Sequence, residues 1–345
     1  MLAAVRRQVP DKVPVTLAYG HVDDLCRQRG HPEMAGRLRQ DQRTVSFHTR
    51  GIDPERIAGY VRAPLGEVAF DEWGIGRWRS STGATVDHIH PLANVTSARE
   101  VEAYPFPDLS EPWRHIDLEE QIAQIHAQGL AAVGQMSQTV WETAMLMRGV
   151  DNLLMDLVQN EAVAAALIER ITHLRCLQAR RFAEAGIDIL RLGDDVGTQR
   201  GLLMSPATWR RWLKPGLQTI IASATAVRPG LPIKYHSDGK IEPIIPDLIE
   251  AGVTILNPVQ PEAMDPVAIK DAYGDRLAFW GTIGTQTTMP LGTPETVRAT
   301  VRRMIETVGE GGGLVLAPTH SIERDVPWEN ILAFYEAADE YGAYQ

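Results

Sequence analysis

From about residue 130 onward, short apolar runs alternate with stretches of helical period, and this rhythm restricts the chain to folds built from successive βα units around a parallel sheet. The runs Leu130 to Met136, Asp188 to Gly193, Pro232 to His236, Val253 to Asn257, Leu277 to Gly281 and Leu314 to Ala317 read as strands. Between them, Pro206 to Ala222, Ile241 to Ala251, Glu295 to Val308 and Trp328 to Tyr341 carry apolar residues at spacings of three and four. Ser205-Pro206 and Thr293-Pro294 place a proline just inside a helix start, and Gly252, Gly274 and Gly309 stand where left-handed caps are expected.

Six strands are legible in this way, and Val13 to Ala18 supplies a seventh. The fold class is therefore α/β, a distorted (β/α)8 TIM-type barrel with an N-terminal extension. The eighth strand is expected near Ser80 to His90. The segment Glu67 to His90, with Val68, Phe70, Trp78 and Val86 in alternation, also fits a hairpin-like flap over one mouth. A length of 345 residues is compatible with one elaborated barrel domain over 1–345, in which 1–115 form the N-terminal region with the flap and 116–345 the regular βα units.

Lys+Arg number 34 against 44 Asp+Glu, a formal net charge of -10, so no continuous basic surface for nucleic acid or anionic lipid is expected. Apolar windows such as Ala162 to Ile168 are far shorter than the ~18–20 residues that span a bilayer. The opening Met1 to Arg7 does not read as a secretory signal. Two cysteines, Cys26 and Cys176, without a CxxC, fit a reducing, cytoplasmic setting and exclude a cysteine-built zinc site. Any metal would have to rely on histidine and carboxylate.

In a parallel barrel, polar residues directly after strands gather at the C-terminal mouth. Four groups qualify: Asp194-Asp195, His236-Ser237-Asp238-Gly239, Asn257 with Gln260, and Thr319-His320. His236 and Asp238 are two apart at a strand end and can address one ion, with His320 completing the set from another strand. The spacing equally admits a hydrogen-bonded strand-end histidine, Asp238 as a cap for a helix beginning near Lys240, and His320 as a loop residue. Asp194 and Asp195 suit acid-base or ligand roles, or a turn with an N-cap. Asn257 and Gln260 suit substrate orientation, although Asn257-Pro258 is also an ordinary strand-ending turn. Tyr19, His21 and Asp23 follow the N-terminal strand and can reach the same mouth, while Asp71 to Gly74 lie in the flap; both sets also fit structural roles.

Other motif classes fail. Gly281 to Thr285 lacks dinucleotide spacing and a Walker lysine, and neither GxSxG nor HExxH occurs. Met145, Met147 and Met155 sit at apolar helical positions that suit packing.

Gly193 to Gln199, Met204-Ser205-Pro206, Tyr235 to Gly239, Ile245 to Ile249, Ile255 to Gln260 and Ala317 to His320, in this order, resemble the uroporphyrinogen decarboxylase superfamily. The resemblance implies a distorted (β/α)8 barrel and an activity drawn from cofactor-free decarboxylases or zinc-dependent methyltransferases that work with corrinoid carriers and thiols. The arginine-rich RQAGRY-like stretch of true porphyrinogen decarboxylases is replaced here by Ala18-Tyr19-Gly20-His21. The methyltransferase pattern of histidine, cysteine and distant cysteine corresponds to His236, Asp238 and His320, so the metal site is implied with its sulfurs replaced. A harder, more electrophilic Zn²⁺ or other divalent ion would follow, favouring methoxylated or hydroxylated substrates over coenzyme M or homocysteine. A corrinoid protein as methyl carrier is the implied partner, a homodimer is a compatible assembly, and decarboxylation of a small carboxylated substrate is the alternative activity.

Overall fold

The computed structural model describes residues 1–18, 20–61, 68–79 and 86–344. Its strands are β1 (Gln42–Val45), β2 (Ala69–Phe70), β3 (Gly76–Arg79), β4 (Val86–Ile89), β5 (Ala131–Ser137), β6 (Ile189–Gly193), β7 (Ile233–His236), β8 (Ile255–Asn257), β9 (Ala278–Trp280) and β10 (Leu314–Val315). Seven of them form one parallel sheet in the order β1-β5-β6-β7-β8-β9-β10. The gap between its edges is filled by the segment around Val15. Val15 bridges Leu316 in parallel, Leu316 N–H donates to Pro14 O at 2.8 Å, and Asp41 N–H donates to Val15 O at 2.9 Å. The sheet thus curls into a barrel with eight strand positions.

The eighth position is therefore not near Ser80 to His90 but at β1. Its sequence, Gln42-Arg43-Thr44-Val45, carries too little apolar character to stand out, because a barrel strand that lines a polar interior need not be a hydrophobic run. Of the expected strand, residues 80–85 lie outside the described residues, and β4 belongs to a separate antiparallel sheet, β2-β3-β4. That sheet is the anticipated flap. Tyr104 Oη donates to Trp73 O at 2.7 Å, the Arg175 guanidinium lies 4.9 Å from the Trp73 ring, and His90 Nδ1 meets Leu146 O at 2.6 Å. Since Arg175 also donates to the carbonyls of Gln138 and Thr139, just past β5, the flap is anchored at the C-terminal side of the barrel.

Two apolar layers hold the barrel. The larger lies between the sheet and its helices. The smaller lies inside the barrel, where Val133, Ile189, Ile255, Ala278 and Val315 pack against Ala4 and Val5 of the short helix Leu2–Val5. Val133, Ile189 and Ile255 stand near the starts of their strands, so this helix closes the N-terminal floor.

The helix starts follow their sequence signals. Ser205 Oγ accepts from Thr208 N–H and Thr293 Oγ1 from Thr296 N–H, each with proline in the first turn. Pro206 to Ala222 is two helices, Pro206–Trp212 and Lys214–Thr225, because Pro215 has no N–H to continue the first. Gly252 caps with φ 103°, whereas Gly274 ends its helix in right-handed geometry and Gly309 follows a helix that closes at Thr307, so neither is a left-handed cap. Met147 is buried as expected, but Met155 is 51% exposed and packs into no core. Among the described residues, no helix is long and apolar enough to cross a membrane.

Candidate functional site

The loops after β6 and β7 build the site. Gly193 at the end of β6 is in register with His236 at the end of β7, and a Cβ on Gly193 would come within 2.6 Å of the His236 Cβ. Only glycine lets these two strand ends lie flush. The two chains then diverge, carrying Asp195 and Asp238 to face each other above the imidazole. Asp238 N–H donates to Asp195 Oδ1 at 2.8 Å. His236 Nε2 lies 3.8 Å from Asp195 Oδ1 and 3.9 Å from Asp238 Oδ1. One ligand atom from each of Asp195, His236 and Asp238 falls within 4.8 Å of the others.

Of the expected set, His236 and Asp238 fall in this cluster among the described residues, while the third place expected for His320 is taken by Asp195. His320 reaches the other face of Asp238, its Nε2 lying 3.9 Å from Asp238 Oδ2. Asp238 does not cap the next helical turn: Ile241 occupies that N-cap, and no side chain bonds there. Beside this face a cavity of about 250 Å³ is lined by Asp238, Gln260, Thr319 and His320.

Asn257, expected to touch substrate, instead holds the histidine. Its Nδ2 donates to Trp280 O at 2.6 Å, which turns Oδ1 toward His236 Nδ1 at 2.8 Å. The imidazole must therefore carry its proton on Nδ1 and present the Nε2 lone pair to the two carboxylates. Burial, with Arg191 next in effect, pushes the imidazole well below the ordinary histidine range, which keeps it neutral. Gln260 is also committed, its Oε1 accepting from Gly239 N–H at 3.1 Å and fixing the loop that bears Asp238. The expected metal loss in Asn257→Ala is about 10–100-fold in affinity, measured by competition with a chromophoric chelator.

Asp194 points away from the mouth. Its carboxylate accepts from the N–H groups of Val140 and Glu142, each at 3.0 Å, at the start of the helix Trp141–Arg148. Burial raises it to about 6 against those hydrogen bonds. Asp194 is thus a buried acceptor that serves the start of a helix in the preceding βα unit from outside it, and not a solvated turn residue; the N-cap position itself is Val140.

Glu142, which sequence reasoning missed, stands beside the cluster. Its Oε2 accepts from Asp195 N–H at 3.2 Å, and burial, followed by the charges of Asp194 and Asp195, raises it to about 8. Asp238 rises to about 6, chiefly through burial and then through Asp195. The signal for Glu142 was a carboxylate in the first turn of the helix after β5, which a search confined to strand ends passes over.

Tyr19 lies outside the described residues. His21, partly buried, is pushed below its ordinary range by burial and then by Arg43, and Asp23 Oδ1 accepts from Gly36 N–H at 2.8 Å. Asp71 Oδ1 accepts the N–H groups of Trp73 and Ile75, and Glu72 pairs with Arg114, so these flap carboxylates are structural.

The donor chemistry suits a divalent cation. Two carboxylates and a neutral imidazole with a fixed lone pair converge on one point, and the mutual repulsion of Asp195 and Asp238 would be relieved by an ion between them. Nitrogen and oxygen donors without sulfur fit Zn²⁺, Mn²⁺ or Fe²⁺.

A family model described as Uroporphyrinogen decarboxylase (URO-D) matches residues 93–341. Among solved structures, a methyltransferase from Methanosarcina mazei is similar at 20% identity, with a TM-score of 0.68 over 99% of this chain and 97% of that one. A psychrophilic glycoside hydrolase family 10 endo-β-1,4-xylanase is similar at 10% identity, with a TM-score of 0.40 over 66% of this chain and 85% of that one. Comparison with curated protein sequences finds no match. The family match spans β5 through the C-terminal helix, the stretch that carries Asp195, His236 and Asp238, and the chain belongs to the uroporphyrinogen decarboxylase family.

Proposed function

We propose that the chain is a divalent-metal-dependent methyltransferase or demethylase acting on a small methoxylated or hydroxylated substrate, with a corrinoid protein as methyl carrier. The observation that carries this reading is the convergence of Asp195, His236 and Asp238 at the barrel mouth, with the His236 tautomer set by Asn257. Membership of the family and the likeness to a methyltransferase support group transfer. A cation held by these three side chains, with His320 alongside Asp238, would supply Lewis acidity to a substrate oxygen.

The chain's own residues account for the rest. Asn257 holds the imidazole in the ligating tautomer, Gln260 steadies the loop bearing Asp238, and Glu142 stands one hydrogen bond behind Asp195. When a methyl carbon leaves its oxygen, the oxygen keeps the bonding pair and needs a proton. We assign that proton to the Glu142 carboxyl, which burial and the charges of Asp194 and Asp195 raise to about 8.

Elemental analysis of protein expressed with supplemented metal tests the site. Wild type is expected to carry a divalent ion, and His236→Ala and Asp195→Ala to lose most of it, because removing one of three ligands weakens binding severely. Equal metal content in wild type and His236→Ala overturns the assignment. Glu142 also suits a second reading, decarboxylation, in which the proton goes to the carbon that has lost carbon dioxide. Product formation without any methyl carrier would favour that reading, and strict dependence on a carrier would exclude it.

A further inference from the structure

Below the cluster of Asp195, His236 and Asp238, the barrel interior holds a polar cavity of about 200 Å³, whose walls include Gln42, Gln135, Arg191, Lys234 and Trp280. Its two cations are already engaged. Arg191 Nη1 donates to Gln135 Oε1 at 3.2 Å, and its charge favours the Asp238 carboxylate at the mouth. Lys234 Nζ lies over the Trp280 ring, 3.6 Å from its centre.

Two neutral groups of the same cavity are not matched. The Trp280 indole N–H is buried without an acceptor and Gln42 Oε1 without a donor, in side chains of residues that are 1% and 6% exposed. A buried donor and a buried acceptor left in this state cost stability that apolar groups of the same shape would not. In a cavity that opens beside a reacting centre, such groups mark the place where a ligand completes the hydrogen bonds. Trp280 also ties the cavity to that centre. Its carbonyl accepts from Asn257 Nδ2, the contact that turns Asn257 Oδ1 toward His236.

The unmatched pair discriminates among ligand groups. A carboxylate or an ether oxygen satisfies the indole N–H but brings a second acceptor to Gln42 Oε1. An ammonium satisfies Gln42 but leaves the indole N–H unmatched and adds a cation beside Lys234 and Arg191. A hydroxyl accepts from the one and donates to the other.

We propose that Trp280 and Gln42 form a hydroxyl-recognition subsite, which selects neutral substrates that carry an alcohol or phenol hydroxyl at the end remote from the oxygen presented to Asp195, His236 and Asp238. The subsite deepens the proposed function and rests on that cluster being the reacting end.

Calorimetric titration of the full-length chain tests it, with metal-loaded and chelator-treated protein run in parallel. The probes share one 4-methoxyphenyl body: 4-methoxybenzyl alcohol, its methyl ether, 4-methoxybenzylamine, 4-methoxybenzoate and 4-methoxytoluene. The alcohol is expected to bind about 10–30-fold more tightly than 4-methoxytoluene, the return on two ordinary hydrogen bonds, and more tightly than the other three. Gln42→Met is expected to remove most of that advantage without weakening 4-methoxytoluene. In the ligand-free chain the same substitution should raise the urea midpoint, because it deletes a buried acceptor that has no donor, whereas loss of an amide that serves the fold would lower it. Trp280→Phe, which deletes the N–H, replaces Gln42→Met if the latter does not fold. Equal binding of the alcohol and 4-methoxytoluene, no saturable binding of any probe, the wild-type preference in Gln42→Met, or a lowered midpoint in that variant each overturns the subsite. Tightest binding by the benzoate, the amine or the ether overturns its assignment to a hydroxyl. Failure of the metal reading shows separately, as absent metal in the elemental analysis while the alcohol still outbinds 4-methoxytoluene in the chelated protein and still depends on Gln42.

Discussion

Asp194→Ala is expected to lower the unfolding free energy by about 3–5 kcal/mol, because it leaves buried N–H groups of Val140 and Glu142 without an acceptor at about 1–3 kcal/mol each and cuts a cavity besides. The loss falls on the start of the helix Trp141–Arg148, where no other side chain caps the first turn. It also withdraws a negative charge that faces the wholly buried Arg175. Asp194→Asn keeps one oxygen acceptor and is expected to retain about half of the stability, since the second acceptor becomes a donor. Urea unfolding of the three proteins measures the difference. A loss below about 1 kcal/mol in the alanine variant would mean that the helix start relaxes to find other acceptors. Activity of Asp194→Ala should fall together with stability, since the carboxylate reaches Glu142 through the backbone and not through the mouth.

The second large effect is a pH dependence of stability in chelator-treated protein. Glu142 is raised from 4.5 to about 8 in the folded chain, so the native state binds a proton that the unfolded state releases near pH 4.5. The stabilisation is therefore fully present below the unfolded value and is lost as pH rises through about 8. Asp194 and Asp238, both raised to about 6, act in the same direction but finish near that pH, while His21 and His236, both held below 6.5, act oppositely until the unfolded histidines are neutral. At a maximum of 1.36 kcal/mol per pH unit, Glu142 is expected to contribute a loss of about 2–3 kcal/mol between about pH 6 and 8. Glu142→Gln, which is neutral throughout, should lack this contribution, so that its stability relative to wild type rises across the interval. Urea midpoints at several pH values provide the test, and an equal slope in both proteins would remove Glu142 as the source.

The barrel was legible because strands buried on both faces leave uninterrupted apolar runs, as in Leu277 to Trp280 and Leu314 to Leu316. β1 escaped notice for the opposite reason: Gln42 and Thr44 face the polar cavity, and such a strand has no apolar signature. Strand ends located His236, Asp238 and Asp195 because the C-terminal mouth gathers whatever follows a strand. The same rule could not distinguish Asp194 from Asp195, neighbours in sequence whose carboxylates serve a helix start in one case and the mouth in the other. Nor could it assign Asn257, whose function depends on the Trp280 carbonyl, a partner 23 residues away on the adjacent strand. Lys234 and Arg191 sit inside runs that read as plain strands, and only the register shows that they lie side by side in the barrel interior.

The short helix Leu2–Val5, packed against the strand starts, makes the interior a blind pocket among the described residues. Traffic must then share one doorway. A molecule that enters has to pass Asp195 and Asp238, and its product must leave by the same route before another can follow. Product and substrate would therefore exclude each other at a single opening.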